Sequence, residues 1–293
     1  VNLKWFAIPL ATGAGSGLFL SPRNVSTSRS ALVIMLHGLG EDSIFPQWHW
    51  ATSLVARGIP VLSVTWDGHG EFGHSVLDIS SATRTIPLVL QKIYGDSAGS
   101  TSDSVADAPR CFLMGNSFGA VLSLVAATRP EIPALVSGVI AVSPMVCIDV
   151  SRHQPREFLS KLSPRSFVRD VFPRMSLYGW DAMESKSGLF KGERARVRMR
   201  VGIDPLDQVR AFLAETVSRR QLLRNVRVPV LWLHGVKDHI VPLEKAVPIM
   251  SEIPSALFSH FDEKRGHRLM AMSSEIPEYA ARFVEKCIDL HRC

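Results

Sequence analysis

At 293 residues the chain can bury a large core, and its 46% hydrophobic and 20% charged content is that of a globular protein, not a disordered one. The formal net charge of +6 comes without a recognition helix, RNA-binding signature or zinc finger, so a solvated basic surface is expected and no nucleic-acid partner. No run approaches the roughly 18 apolar residues that cross a bilayer, so no integral membrane segment is expected.

Four cysteines lack both CxxC pairing and a His at zinc-ligand spacing, which argues against a disulfide scaffold or a metal site. Cys111, inside an apolar run, reads as a small core residue. The N-terminal VNLKWFAIPL lacks the layout of a signal peptide, and the cytoplasm is the expected compartment.

In chain order, LKWFAIPL and GLFLSP around TGAGSG read as an antiparallel hairpin at a sheet edge. Six runs then read as parallel strands covered on both faces: ALVIML (31–36), PVLSVT (60–65), RCFLMG (110–115), GVIAVS (138–143), VPVLWL (228–233) and ALFSHF (256–261). Near-continuous hydrophobicity over a short run is what such burial needs. Helical patterns lie between them. Residues 47–58 form one. In 78–94, Ile79, Ala82, Ile86, Val89 and Ile93 share a face, and Pro87 should kink or shorten that helix. Residues 118–128 are apolar nearly all round, which suits a central helix. In the last helix Ile276, Tyr279, Phe283 and Cys287 share a face. This alternation predicts an α/β fold with a mainly parallel, doubly wound sheet.

Residues 145–227 break the rhythm. They hold no clear strand, and their basic residues outnumber the acidic ones. A helical cap inserted after the sixth core strand is expected there, with the core formed by 1–144 and 228–293. The Arg series of the cap could meet an anionic substrate, although a solvated helical face is the simpler reading.

The chemistry centres on Gly115-Asn116-Ser117-Phe118-Gly119, with a strand leading in and an apolar helix leading out. A turn this tight needs small flanks. It presents a serine oxygen to the cleft beside a helix N-terminus. A second pentapeptide, Gly95-Asp96-Ser97-Ala98-Gly99, follows a helical pattern and enters a Ser/Asp/Gly loop. That context is wrong for a nucleophile, and Ser97 is set aside.

A serine hydroxyl needs a base to take its proton. His267, in KRGHRLM, lies between the last strand and the final helix, on a loop over the C-terminal sheet edge, and Gly266 allows close approach. Asp238, in LHGVKDHIVP, follows a strand to the same edge, where an acid would orient the imidazole. Asp149, beyond GVIAVS, is the alternative acid. His239 is set aside as base because its strand end lies farther from the serine turn. His37-Gly38-Leu39-Gly40 follows ALVIML, and the backbone N–H groups of Leu39 and Phe118 would form an oxyanion hole. His37 itself reads as structural.

The ordered set HGLG, WDGHG (66–70), GNSFG, VKDHIVP and RGH resembles the α/β-hydrolase superfamily over most of the chain. The resemblance implies a lidded, esterase- or lipase-like serine hydrolase with nucleophile, acid and base in that order. It also implies a structural Asp67, an oxyanion donor in the HGLG loop and a lid at 145–227. The activity expected is cleavage of a carboxylic ester or thioester through an acyl-serine intermediate. One alternative is C–C bond hydrolysis of ring-fission products, suggested by Asn116 and the HG-x-G loop but opposed by Arg268, where those enzymes carry Trp. Another is a non-catalytic ligand-binding protein on the same scaffold. No cofactor is expected, because TGAGSG lacks the last glycine of a dinucleotide loop and leads into a strand. The expected partner is a small-molecule acyl substrate, and a homodimer is compatible with the sequence.

Overall fold

Each apolar run becomes a strand, and the strands join one sheet. The computed structural model describes residues 1–10, 13–23, 31–38, 47–66, 79–95, 110–129, 132, 135–147, 223–267, 270 and 273–290. Its strands are β1 (Asn2–Leu10), β2 (Gly13–Ser21), β3 (Ala31–Leu36), β4 (Val61–Val64), β5 (Arg110–Asn116), β6 (Val136–Val142), β7 (Val230–Gly235) and β8 (Leu257–Asp262). They lie in the order β1-β2-β4-β3-β5-β6-β7-β8. β1 pairs antiparallel with β2, and β2 antiparallel with β4; every other pairing is parallel. The strand expected first after the hairpin is thus internal, and the hairpin closes one edge.

The helices are α1 (Trp48–Ala56), α2 (Ile79–Gly95), α3 (Phe118–Ala126), α4 (Leu243–Met250) and α5 (Ile276–Leu290). Side chains alternate across a strand, so the strands β2 to β8 feed two cores. Ile34, Leu62, Leu113 and Val139 meet Ile86, Leu90, Val121, Leu122 and Ile249, which lie on α2, α3 and α4. Val33, Phe112, Met114, Ile140 and Leu233 meet Trp50, Leu54, Phe283, Val284 and Cys287, which lie on α1 and α5. Cys111 is fully buried, as a core residue should be. Among the described residues no helix is long and apolar enough to cross a membrane.

Three local expectations change. α2 runs unbroken through Pro87 for 17 residues. The buried stripe Ile86, Val89 and Leu90 holds it in place against a proline cost of about 3 kcal/mol. α4 was not expected, because Pro242 before it and Pro248 within it hide an eight-residue helix behind breaker residues. The glycine run is not the hairpin turn: Gly13, Gly15 and Gly17 belong to β2, paired with Leu10, Ile8 and Phe6.

Most of the stretch expected as a cap, 145–227, lies outside the described residues. So do Leu39, Asp67, Ser97 and Asp149. The two ends of that stretch are core: Met145, Val146, Cys147, Leu223 and Val226 are all buried.

Phe283 joins α5 to the sheet. Its ring meets Phe112 and Phe258 edge-on at 6.3 and 5.9 Å. A Cβ at Gly138 would lie 2.9 Å from it, so β6 is open at the point where the ring seats. Phe283→Ala is expected to cost about 3–5 kcal/mol, read as a lower urea midpoint at unchanged slope.

Candidate active site

The sharp turn between β5 and α3 is held from three sides. Ser117 sits at φ 53° and ψ −110°, a backbone conformation that costs a non-glycine residue about 1–3 kcal/mol. Its N–H donates to Val142 O at 2.8 Å. Its carbonyl accepts from Met145 N–H at 3.2 Å and Val121 N–H at 3.4 Å. The flanking glycines are forced by close approach. A Cβ at Gly115 would lie 2.2 Å from the backbone of Gly119, and one at Gly119 would lie 2.3 Å from Leu36 O. The helix N-terminus therefore begins directly after Ser117, with its partial positive charge beside the serine oxygen.

Asp238 stands on the turn after β7, buried to 2% exposure. Its Oδ1 accepts the backbone N–H groups of Ile240 at 3.0 Å and Val241 at 2.8 Å. Its Oδ2 lies 2.7 Å from His267 Nδ1, and His267 Nε2 lies 2.9 Å from Ser117 Oγ. An ionised carboxylate only accepts, so Nδ1 carries the proton of the neutral ring. Nε2 then has a lone pair free for the serine O–H. In chemical terms the ring can take a proton from Ser117 Oγ while Asp238 faces the charge that forms.

The loops carrying Asp238 and His267 are zipped together beyond the last strand pair. Val236 N–H donates to Asp262 O and Lys237 N–H to Arg265 O, at 2.8 and 3.0 Å. Both expected and unexpected glycines permit this. A Cβ at Gly266 would meet Lys237 O at 2.7 Å, and one at Gly235 would meet Arg265 O at 2.3 Å. Arg265 Nη1 reaches Asp262 Oδ2 at 2.7 Å, Ser273 Oγ at 2.6 Å and Glu275 Oε2 at 2.9 Å. Ser273 O accepts Trp50 Nε1–H from α1 at 3.1 Å. The His267 loop is thereby tied to both of its neighbours.

On the serine's other side His37, Trp66 and Phe118 form a buried stack. Trp66 lies 5.1 Å from the His37 ring and 4.8 Å from the Phe118 ring, nearly parallel to each. Trp66 Nε1–H donates to His37 O at 3.2 Å, and His37 Nδ1 lies 2.9 Å from Gly38 O. Burial pushes the His37 imidazole down to about 4.

Of the residues expected from sequence, Ser117, Asp238, His267 and Phe118 come together at the C-terminal sheet edge, while His239 is exposed. Leu39 and the alternative acid Asp149 lie outside the described residues. Sequence reasoning passed over Arg265 and His234. A histidine inside the apolar run VLWLHG, four residues before Asp238, was the available signal for His234.

A family model described as serine aminopeptidase, S33, matches residues 27–270. Curated proteins give no match. Among solved structures, the esterase Pf2001 of Pyrococcus furiosus is 14% identical with a TM-score of 0.62, over 97% of this chain and 92% of that one. A lipase in an open form is 17% identical with a TM-score of 0.64, over 98% and 99%. Est1E of Butyrivibrio proteoclasticus, with ferulic acid bound, is 15% identical with a TM-score of 0.58, over 97% and 99%. At such identities the likeness is one of fold.

The buried His37 makes a stability prediction. The unfolded chain binds a proton at this residue near 6.5 and the folded one near 4. Between those values the unfolded state holds more protons, so stability falls as the pH drops. From about pH 7 to about pH 5 wild type should lose about 2 kcal/mol more than His37→Phe, which keeps a ring against Trp66. Urea midpoints of both proteins at the two pH values measure it.

Proposed function

The chain belongs to the serine aminopeptidase S33 family of α/β-hydrolase-fold serine hydrolases, and from that premise we propose that it cleaves a carboxylic ester or thioester through an acyl-serine intermediate. The observation that carries the reading is the single imidazole of His267, 2.9 Å from Ser117 Oγ and 2.7 Å from Asp238 Oδ2.

In this reading Ser117 Oγ attacks the acyl carbon and His267 Nε2 takes its proton. Asp238 stabilises the imidazolium and keeps the ring in its tautomer. The oxyanion is met by the N–H of Phe118, at the start of α3, and by that of Leu39. Preorganised donors of this kind typically contribute about 100- to 1000-fold each. Collapse breaks the acyl–oxygen or acyl–sulfur bond, and the leaving alcohol or thiol takes the proton from His267. Water then attacks the acyl group, His267 accepts its proton and returns it to Ser117 Oγ, and the acid departs. The strained backbone of Ser117 supports the same reading, since outliers of this kind cluster at functional sites.

The substrate proposed is a small acyl compound. A panel of p-nitrophenyl esters of graded chain length, an acyl thioester, a dienone acid and an aminoacyl p-nitroanilide tests the bond class. Turnover of esters or the thioester is expected; turnover confined to the anilide or the dienone acid would overturn it. Ser117→Ala should abolish both that turnover and labelling by a fluorophosphonate probe. Asp238→Asn, which leaves the shape but reverses the hydrogen bond to Nδ1, should lower kcat by up to about 10⁴-fold.

A further inference from the structure

The carboxylate of Asp238 faces a second histidine. His234, the penultimate residue of β7, has a fully buried side chain, and its Nε2 lies 3.5 Å from Asp238 Oδ2. Trp232, two residues earlier and on the same face of the strand, donates its Nε1–H to His234 Nδ1 at 3.2 Å. An indole N–H can only donate, so Nδ1 is a lone pair and the ring proton sits on Nε2. From there it is donated to Val241 O at 2.9 Å. Val241 in turn donates its N–H to Asp238 Oδ1 at 2.8 Å. His234 therefore grips the residue that grips the carboxylate, and its Nε2 stands 3.5 Å from the other carboxylate oxygen while its proton goes to Val241 O.

We propose that His234 is a positioning residue for Asp238, a permanently neutral imidazole locked by Trp232 and Val241. It fixes the carboxylate against His267 without competing for it as a charge. The role rests on the reading of Ser117, His267 and Asp238 as the catalytic set. Protonating Nδ1 would set one N–H against the N–H of Trp232 and break that bond. It would also place a cation beside the carboxylate that must balance the charge on His267. Among the described residues, Asp238 from the turn after β7 and His267 from the loop after β8 are the titratable groups that act on it. Burial pushes the same way, lowering the affinity of His234 for a proton. A histidine held neutral in this way differs from the usual pH-sensing histidine, which is left free to titrate.

The test compares full-length wild type, H234F, H234Q and W232F. Glutamine can place an N–H near the position of Nε2 without titrating; phenylalanine cannot. Fluorophosphonate labelling and ester turnover are followed from about pH 5 to about pH 9, together with the carbon-13 shifts of the imidazoles. H234F should lower kcat by roughly 10-fold or more at little-changed KM, as a small misplacement of a catalytic group does. H234Q should recover most of that loss. The His234 signal should stay flat in wild type and titrate in W232F, where Nδ1 is released.

A wild-type His234 that titrates in this range overturns the proposal, as does an H234Q no faster than a folded H234F. If H234F does not fold, the flat wild-type signal and its titration in W232F decide. Folded wild type that takes no label overturns the reading of the catalytic set itself. Labelling of wild type and folded H234F at equal rates overturns the role of His234 alone.

Discussion

A buried carboxylate organises this site. At 2% exposure Asp238 has surrendered its water, and such burial is costly unless every lone pair is met by a donor. Two backbone N–H groups meet Oδ1, and His267 meets Oδ2. Each donor imposes a condition on the chain. The backbone pair requires residues 238–241 to turn back on the side chain directly after β7. The imidazole requires the loop after β8 to lie against that turn. The close contacts at Gly235 and Gly266 are what allow both conditions to hold at once, because any side chain there would drive the loops apart.

The serine makes an opposite demand. Asp238 is stabilised where it stands, whereas Ser117 is held in a conformation that its own backbone disfavours. The surrounding structure must over-determine that turn. It does so by bonding the Ser117 amide to β6 and by packing Gly119 directly on the end of β3. Parallel strands deliver all of this to one place. Because β3, β5, β6, β7 and β8 run the same way, their C-terminal ends share an edge, where open α/β sheets form their sites. Residues separated by 150 positions can thus share a hydrogen bond.

The same geometry explains what could be read from sequence. Strands buried on both faces leave continuous apolar runs, so β3 to β7 were legible; β8 was legible as a strand too, but it is a half-buried edge strand and not one covered on both faces as expected. Ser117, Asp238 and His267 were legible because each follows a strand end. Two glycine-flanked serines competed, and the strand before Ser117 separated them. What could not be read depends on packing. Pro87 looks like a break until the buried stripe around it is seen, and α4 is hidden by its prolines. His234 looks like an interruption in β7, since its value comes from Trp232 beneath it and Val241 across the turn. Neither contact leaves a pattern in a linear sequence.

Among the described residues, three histidines stand around the proposed reacting centre, and their environments differ. His37 and His234 are at 1% and 0% exposure, and burial holds both toward the neutral form. Each has a ring nitrogen bonded to a carbonyl, Gly38 O or Val241 O, which fixes the ring as a rigid part of the wall. His267 differs: its side chain is 11% exposed, and its second nitrogen faces a hydroxyl that can give up a proton instead of a carbonyl that cannot. A site that moves one proton needs one ring able to carry it. It also needs neighbours that do not bring a competing positive charge to the same carboxylate. Desolvation supplies that condition at His37, and at His234 burial and the Trp232 N–H on Nδ1 supply it together.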